Sequence, residues 1–393
     1  MKNIRRKLNW LDYSVLVPTF ILIIIGIIAV YSAGSYTAIE TYGNQNHFLI
    51  RQSIFAVIGL VALAMFFLVN IKILKHKKVI PIVSTGTIIL LVFVLLFGDE
   101  VNGARAWINL GFFNIQPAEI AKLAVIWYLA YYFSKKQNQI VDNFFDTIKS
   151  PMIMIIVILF LLILQPDIGS ALIILGIVFI MVISSGTSLK VSFSLVGVAI
   201  LGIVSAFGLL YFFGDSLPFI QDYQLDRIHA FMDPFAYADS SGLQLINSYY
   251  ALSRGGLFGV GLGNSVQKTG FLPEPQTDFI MAIVGEELGL VGVLSILAIL
   301  VFLIIRIYLN GIRSYRSFNS LISIGVASML LIQVVINIGG LIGLIPITGV
   351  TFPFISYGGS SLIINCMAIG FALNAQSSEM RNREKFAIER SES

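Results

Sequence analysis

Apolar runs about as long as a membrane helix recur from one end of this chain to the other, and nothing else constrains its fold as strongly. A helix that crosses a bilayer needs about 20 predominantly apolar residues. Ten such runs are legible, at 12–33, 48–69, 79–97, 117–133, 151–165, 168–184, 191–213, 278–305, 319–345 and 350–374. The chain is 57% hydrophobic and only 12% charged, against about 25% charged in an ordinary soluble domain. A soluble fold of 393 residues has no way to hide that much apolar surface. The reading is therefore an all-α polytopic membrane protein forming a single domain over 1–393. A soluble enzyme, a secreted disulfide scaffold and a disordered tail are excluded. Cys366 is the one cysteine, so no internal disulfide can form. A formal net charge of +4 implies no nucleic-acid partner in such a chain; the placement of the charges matters more.

That placement sets the orientation. Cytoplasmic loops of membrane proteins carry the excess of Lys and Arg. Alternate connections hold 19 of the 25 basic residues, including Lys2 to Lys7, Lys72 to Lys78, Lys135, Lys136, Lys149, Lys190, Arg306 to Arg316 and Arg381 to Arg390. The opposite connections hold five: Arg51, Arg105, Arg227, Arg254 and Lys268. The alternation predicts ten spans with both termini cytoplasmic, a tail at 375–393 and a long external loop at 214–277 between spans seven and eight. The first run is too long for a signal-peptide core and reads as an uncleaved anchor. Gln165-Pro166-Asp167 divides one apolar stretch into two spans, since proline cannot continue a helix and a carboxylate is costly in lipid.

The outward segments carry the polar chemistry. The middle of the long loop, Leu243 to Leu262, is too weakly hydrophobic to span and predicts short helices on or in the outer leaflet. Gly259-Val260-Gly261-Leu262-Gly263 resembles a nucleotide loop, but without a preceding strand it reads better as tight turns. Leu272-Pro273-Glu274-Pro275-Gln276-Thr277-Asp278-Phe279 leads into span eight, where Thr277 or Asp278 would cap the helix. Glu286 would lie about 12 Å deeper than Asp278 at ~1.5 Å per residue, an expensive depth that signals either function or a buried ion pair. Glu119 and Lys122 are spaced to pair on one helix face, and Asp167 is a further partner for Lys122 or Arg105. That cluster is either structural or a cation site for an anionic headgroup. Trp107 reads as an interfacial anchor or a stacking platform. Pro346 to Ser361 mixes helix breakers with Ser356, Tyr357 and glycines, suited to helix packing or to substrate contact.

Seven motifs in this order resemble the SEDS family of cell-wall polymerases, which includes FtsW, RodA and a sporulation relative. They are Tyr31-Ser32-Ala33, Gly103 to Ile108, Gln116 to Lys122, Gln165 to Ser170, Arg254 to Gly263, Leu272 to Phe279 and Phe352 to Ser361. The run at 263–268 and the Ser-Tyr-Gly-Gly-Ser-Ser end resemble a Gram-positive FtsW more than a RodA; Ala106 departs from the Arg or Ser of many members. The resemblance implies a ten-span peptidoglycan glycosyltransferase of the bacterial cytoplasmic membrane. It would polymerise lipid II on the outer face, for division or cell shape. Its partners would be a class B penicillin-binding transpeptidase and other divisome or elongasome membrane proteins. The family's essential carboxylate falls on Asp278.

Such a reaction needs a base for the attacking sugar hydroxyl and positive charge for the departing pyrophosphate. Asp278 suits the base. Arg105, Lys122, Arg227 and Arg254 are headgroup candidates, with Trp107, Glu274, Ser356 and Tyr357 as further substrate contacts. A divalent cation is an alternative source of charge, and the sequence leaves the metal unknown. Competing readings are a lipid II flippase and a non-catalytic scaffold of the division machinery.

Overall fold

The computed structural model describes residues 7–101, 104–111, 113–213, 222–240 and 242–392. Lys2, Arg5, Arg6 and Gly103, together with the start of the long loop at 214–221, lie outside the described residues. Long helices form over nine of the ten apolar runs and over most of the tenth, where the helix starts only at Gly359 and continues through the expected tail to Glu392. They are α1 (Tyr13–Tyr42), α2 (His47–Leu68), α4 (Val79–Phe97), α5 (Pro117–Asp142), α6 (Phe144–Leu164), α7 (Ile168–Ile183), α8 (Leu189–Phe213), α11 (Ile280–Ile312), α12 (Ser317–Leu341) and α13 (Gly359–Glu392). Short helices fall between them: α3 (Ile71–Leu74), α9 (Asp222–Met232) and α10 (Leu243–Gly255). Six of the long helices, namely α1, α2, α4, α6, α11 and α12, are long and apolar enough to cross a membrane by length and composition.

Burial sorts these helices into centre and rim. In α12, 78% of the most apolar window is buried, against 28% in α4. So α12 runs through the middle, against α5, α7, α11 and α13, while α4 presents Ile82, Ile89 and Phe97 outward. An apolar residue facing lipid costs nothing, so rim helices are apolar all round.

The chain departs from all-α at 99–115. There β1 (Asp99–Val101), β2 (Ala104–Asn109) and β3 (Asn114–Ile115) form an antiparallel sheet in the order β1-β2-β3, with Glu100 opposite Arg105 and Asp99 opposite Trp107. The turn between β2 and β3 is set locally, because the Asn109 side chain accepts from Gly111 N at 2.7 Å. The Gln165-Pro166-Asp167 turn lies where predicted, with Asp167 capping α7 through Ser170 N at 3.0 Å.

The glycine-rich run does not form a nucleotide loop. Helix α11 is interrupted at Gly289 (φ 69°, ψ −173°), and the backbone of 256–261 is spliced into the break. Val260 and Gly261 N–H groups donate to the carbonyls of Glu286 and Glu287 at 3.0 Å each. Leu290 and Val291 N–H groups donate in turn to Gly256 (2.9 Å) and Leu257 (3.1 Å). Each backbone group freed by the break thereby finds a partner, which a helix at membrane depth requires. Only glycine fits this splice. A Cβ on Gly259 would lie 2.1 Å from the Glu287 carbonyl oxygen, and one on Gly289 would lie 2.4 Å from Gly259 N.

Candidate active site

Asp278 sits in the turn before α11 and does not cap it. The helix begins at Ile280 with Phe279 as the cap residue and no side-chain capping bond, which corrects the expectation that Thr277 or Asp278 would cap this span. The backbone of the turn is instead held from outside. Ser356 Oγ donates to the Thr277 carbonyl at 2.7 Å. Tyr357 N donates to the Gln276 carbonyl at 2.8 Å. Asn337 Nδ2, from α12, donates to the Asp278 carbonyl and to the Val350 carbonyl, both at 2.8 Å. Three consecutive carbonyls are thus fixed by residues 59 to 81 positions away in sequence, on α12 and on the connection between α12 and α13.

The carboxyl of Asp278 lines a narrow recess with Phe279, Asn337, Thr348, Gly349 and Val350. Its volume is about 10 Å³, room for about one water. Gly349 (φ 76°) brings the loop against the acid, since a Cβ there would lie 3.4 Å from Asp278 Oδ2. Burial pushes the Asp278 carboxyl up to about 6. The Arg227 guanidinium opposes that shift and the Glu274 carboxylate adds to it. Arg227 reaches this place from α9 and donates to the Ile347 carbonyl at 3.2 Å. Glu274 is exposed at the mouth, has a positive φ of 50°, and accepts from Gln276 Nε2 at 3.0 Å.

The other sequence candidates occupy different places. Lys122 and Glu119 pair at 2.7 Å inside α5, with Lys122 only 1% exposed. Asp167 does not join them; it accepts from Gln116 Nε2 at 2.8 Å, so the expectation of Lys122 between two carboxylates is corrected. Arg254 pairs with Glu286 at 2.6 Å, and Glu286 also accepts from Ser265 Oγ, Val266 N and Gln267 N. That carboxylate, fully buried, anchors the whole 254–267 segment to α11. Arg105 and Trp107 lie on β2, the arginine exposed. Their sheet adjoins the start of α13, three residues past Tyr357, because Ser360 Oγ donates to the Asn114 carbonyl at 3.3 Å. Ser356 is buried, and the Tyr357 ring packs edge-on against Phe48 at 4.9 Å.

Two features of the site escaped the sequence. Asn337 is an amide within an apolar run, and only the fold shows that its target is the backbone of Asp278. The second is the buried cluster of Lys268, Glu287 and Ser32. Lys268 Nζ lies 2.7 Å from Glu287 Oε1 and 3.1 Å from Ser32 Oγ, tying the segment after α10 to α11 and α1. Its one sequence signal is a second glutamate beside Glu286. Among the described residues, no three of His, Cys, Asp or Glu gather as a metal cage. Magnesium is commonly held by one or two carboxylates plus substrate phosphates, and Glu274 is the carboxylate whose charge acts on Asp278.

The family model for FtsW, RodA and SpoVE, described as "Cell cycle protein", matches residues 13–381. A Bacillus subtilis protein named "Probable peptidoglycan glycosyltransferase FtsW" is 40% identical over 377 residues, covering 94% of this chain and 92% of the relative. Stage V sporulation protein E of the same organism is 40% identical over 366 residues, covering 92% and 96%. Among solved structures, a chain from "Structural coordination of polymerization and crosslinking by a peptidoglycan synthase complex" superposes with a TM-score of 0.75 at 27% identity, covering 94% of this chain and 98% of that one. The rod shape determining protein RodA of Thermus thermophilus gives 0.67 at 26% identity, covering 94% and 97%. A match over nearly the whole chain, in sequence and in fold, makes this protein a member of the FtsW/RodA/SpoVE (SEDS) family of multi-pass membrane proteins.

Proposed function

We propose that this protein is a peptidoglycan glycosyltransferase that polymerises lipid II at the outer face of the cytoplasmic membrane, with Asp278 as its base. The observation that carries the assignment of the base is a carboxyl pinned through its own backbone, raised to about 6 by burial and facing the charge of Arg227. The names of the FtsW relatives support the reaction class.

The chemistry follows from that geometry. The C4 hydroxyl oxygen of the acceptor sugar attacks the anomeric carbon of the lipid-pyrophosphate donor. A carbon–oxygen bond forms, the bond to pyrophosphate breaks, and Asp278 takes the hydroxyl proton. A carboxyl with a pKa near 6 is roughly nine-tenths ionised at pH 7 yet basic enough to accept a proton, the compromise general-base catalysis favours. The leaving pyrophosphate carries away the negative charge, which Arg227 is nearest to offset. Energy stored in the donor drives the step, so no nucleotide is needed.

The charge alternation supports ten spans, cytoplasmic termini and an external loop at 214–277. In that orientation Asp278, Arg227, Glu274, Ser356 and Tyr357 face the outer leaflet. Arg105 and Trp107, on the sheet joined to the same loop, would meet the headgroup or the lipid interface. Lys122 and Arg254, each held by a glutamate, shape the site from below. A class B transpeptidase is the proposed partner, since a structural neighbour comes from a complex coordinating polymerisation with crosslinking. Purified protein incubated with lipid II, with and without that transpeptidase, tests the proposal. Glycan strands lost on Asp278→Asn support it; no polymer under either condition would overturn it.

A further inference from the structure

A second cavity, of about 350 Å³, lies between α4, α5 and α6, away from the Asp278 recess. Its lining includes Lys77, Ser84, Tyr128, Tyr131, Tyr132 and Met154. That volume falls in the range of small-molecule sites, about 300–1,000 Å³. Ser84 is 8% exposed, and its hydroxyl has no hydrogen-bond partner among the described residues. A buried polar group left unpaired is costly, so an absent partner is the simplest account of it. Cations crowd one end of the cavity. Lys77 lines it, Lys135 Nζ donates to the Tyr131 hydroxyl at 2.5 Å, and Lys136 stands 5.3 Å from the centre of the Tyr132 ring. The remaining wall is apolar, with Ile80, Ile88 and Met154. Helices α4 and α6 also expose Ile82, Ile89, Ile153 and Ile156, so the cavity stands at the lipid-facing rim of the bundle.

We infer that this cavity binds an anionic phospholipid, its phosphate at Lys77 and the tyrosine hydroxyls, an ester oxygen at the Ser84 hydroxyl and an acyl chain along Ile80, Ile88 and Met154. Basic pockets between membrane helices take anionic headgroups in this way. The site lies at the Lys-rich end of α4 and α5. The proposed polymerisation chemistry lies at the other end of α5, beyond Glu119, so the two are separable.

The test is native mass spectrometry of the delipidated full chain with dioleoyl phosphatidylglycerol, dioleoyl phosphatidylcholine or undecaprenyl phosphate. Phosphatidylglycerol should be retained in preference to phosphatidylcholine. Lys77→Ala should weaken it about fivefold, the effect of roughly one cation at a lipid surface, and Lys77→Arg should restore it. Ser84→Leu, which narrows the cavity and removes the unpaired hydroxyl, should weaken retention while the lipid-free melting temperature holds. Lys190→Ala, an exposed cation elsewhere, should change nothing. Equal retention of the two phospholipids, or equal loss from Lys77→Ala and Lys190→Ala, would overturn the site. Displacement by undecaprenyl phosphate at lower concentration than phosphatidylglycerol would overturn the choice of phospholipid.

Discussion

The side-chain amide of Asn337 holds the backbone carbonyl of Asp278 at 2.8 Å, and the same nitrogen holds Val350 at 2.8 Å on the loop that closes over the acid. One residue of the central helix therefore sets the distance between the carboxylate and its roof. The Asp278 side chain bears none of this load, so its chemistry can be removed without loosening the turn. Asp278→Asn should cut glycan polymerisation by at least about 10²-fold, the low end for a general acid–base contribution. Because Asp278 is not the helix cap, folded yield should be unchanged. Rate and polymer length from lipid II, measured on monodisperse protein with the proposed transpeptidase, decide the matter.

The raised Asp278 pKa fixes a pH dependence. A carboxyl shifted up to about 6 is protonated, and useless as a base, below that value. Activity should therefore fall as pH drops through about 6, well above the ordinary Asp value of 3.8. Arg227 lowers this pKa, so Arg227→Gln should move the acid limb to higher pH. For stability the sign is opposite to that of a salt-bridged acid: ionisation is disfavoured in the folded state. Asp278→Asn should thus melt no lower than the parent above pH 6. A pH–rate profile and a melting series check both.

Lys122 and Glu119 share one buried ion pair, which sets a double-mutant test. Lys122→Met strands a buried carboxylate and should cost about 3–5 kcal/mol. Lys122→Met with Glu119→Gln should recover most of that loss in melting temperature. Recovery of stability without recovery of polymerisation would give Lys122 a role in substrate handling beyond structure.

Two glycines of the spliced loop should respond differently. Gly259→Ala drives a Cβ to 2.1 Å from the Glu287 carbonyl and should abolish folded yield. Gly263 has a similar φ of 82° with no atom within 4 Å of its Cβ position, so Gly263→Ala should cost only the left-handed penalty of about 1–2 kcal/mol. Fluorescence-detected size exclusion and melting curves separate the two outcomes.

Orientation is checked by labelling single cysteines in a Cys366→Ala background. Ser240→Cys, exposed in the segment before α10, should react with an impermeant outside reagent. Tyr315→Cys, 84% exposed between α11 and α12, should not. The reverse pattern would invert the proposed topology.

Hydropathy and charge are properties of contiguous residues, so the sequence by itself determined where the long helices and the turn at Pro166 fall. The Glu119–Lys122 pair was legible for the same reason, since three residues on a helix is a local distance. The small sheet at 99–115 was missed because its strands are too short to show a period. Only tertiary structure decided which glutamate meets which cation: Arg254–Glu286 spans 32 residues and Lys268–Glu287 spans 19, choices fixed by how the 254–268 segment docks on α11. The same docking explains the break at Gly289, whose freed backbone groups are satisfied by a strand of chain that no local pattern announces. Asp278 stood out in the sequence as a carboxylate at the mouth of a span. Its pKa is raised by burial, with the 347–350 loop lining the recess, and is held in check by Arg227 on α9, groups far apart along the chain that packing alone brings together.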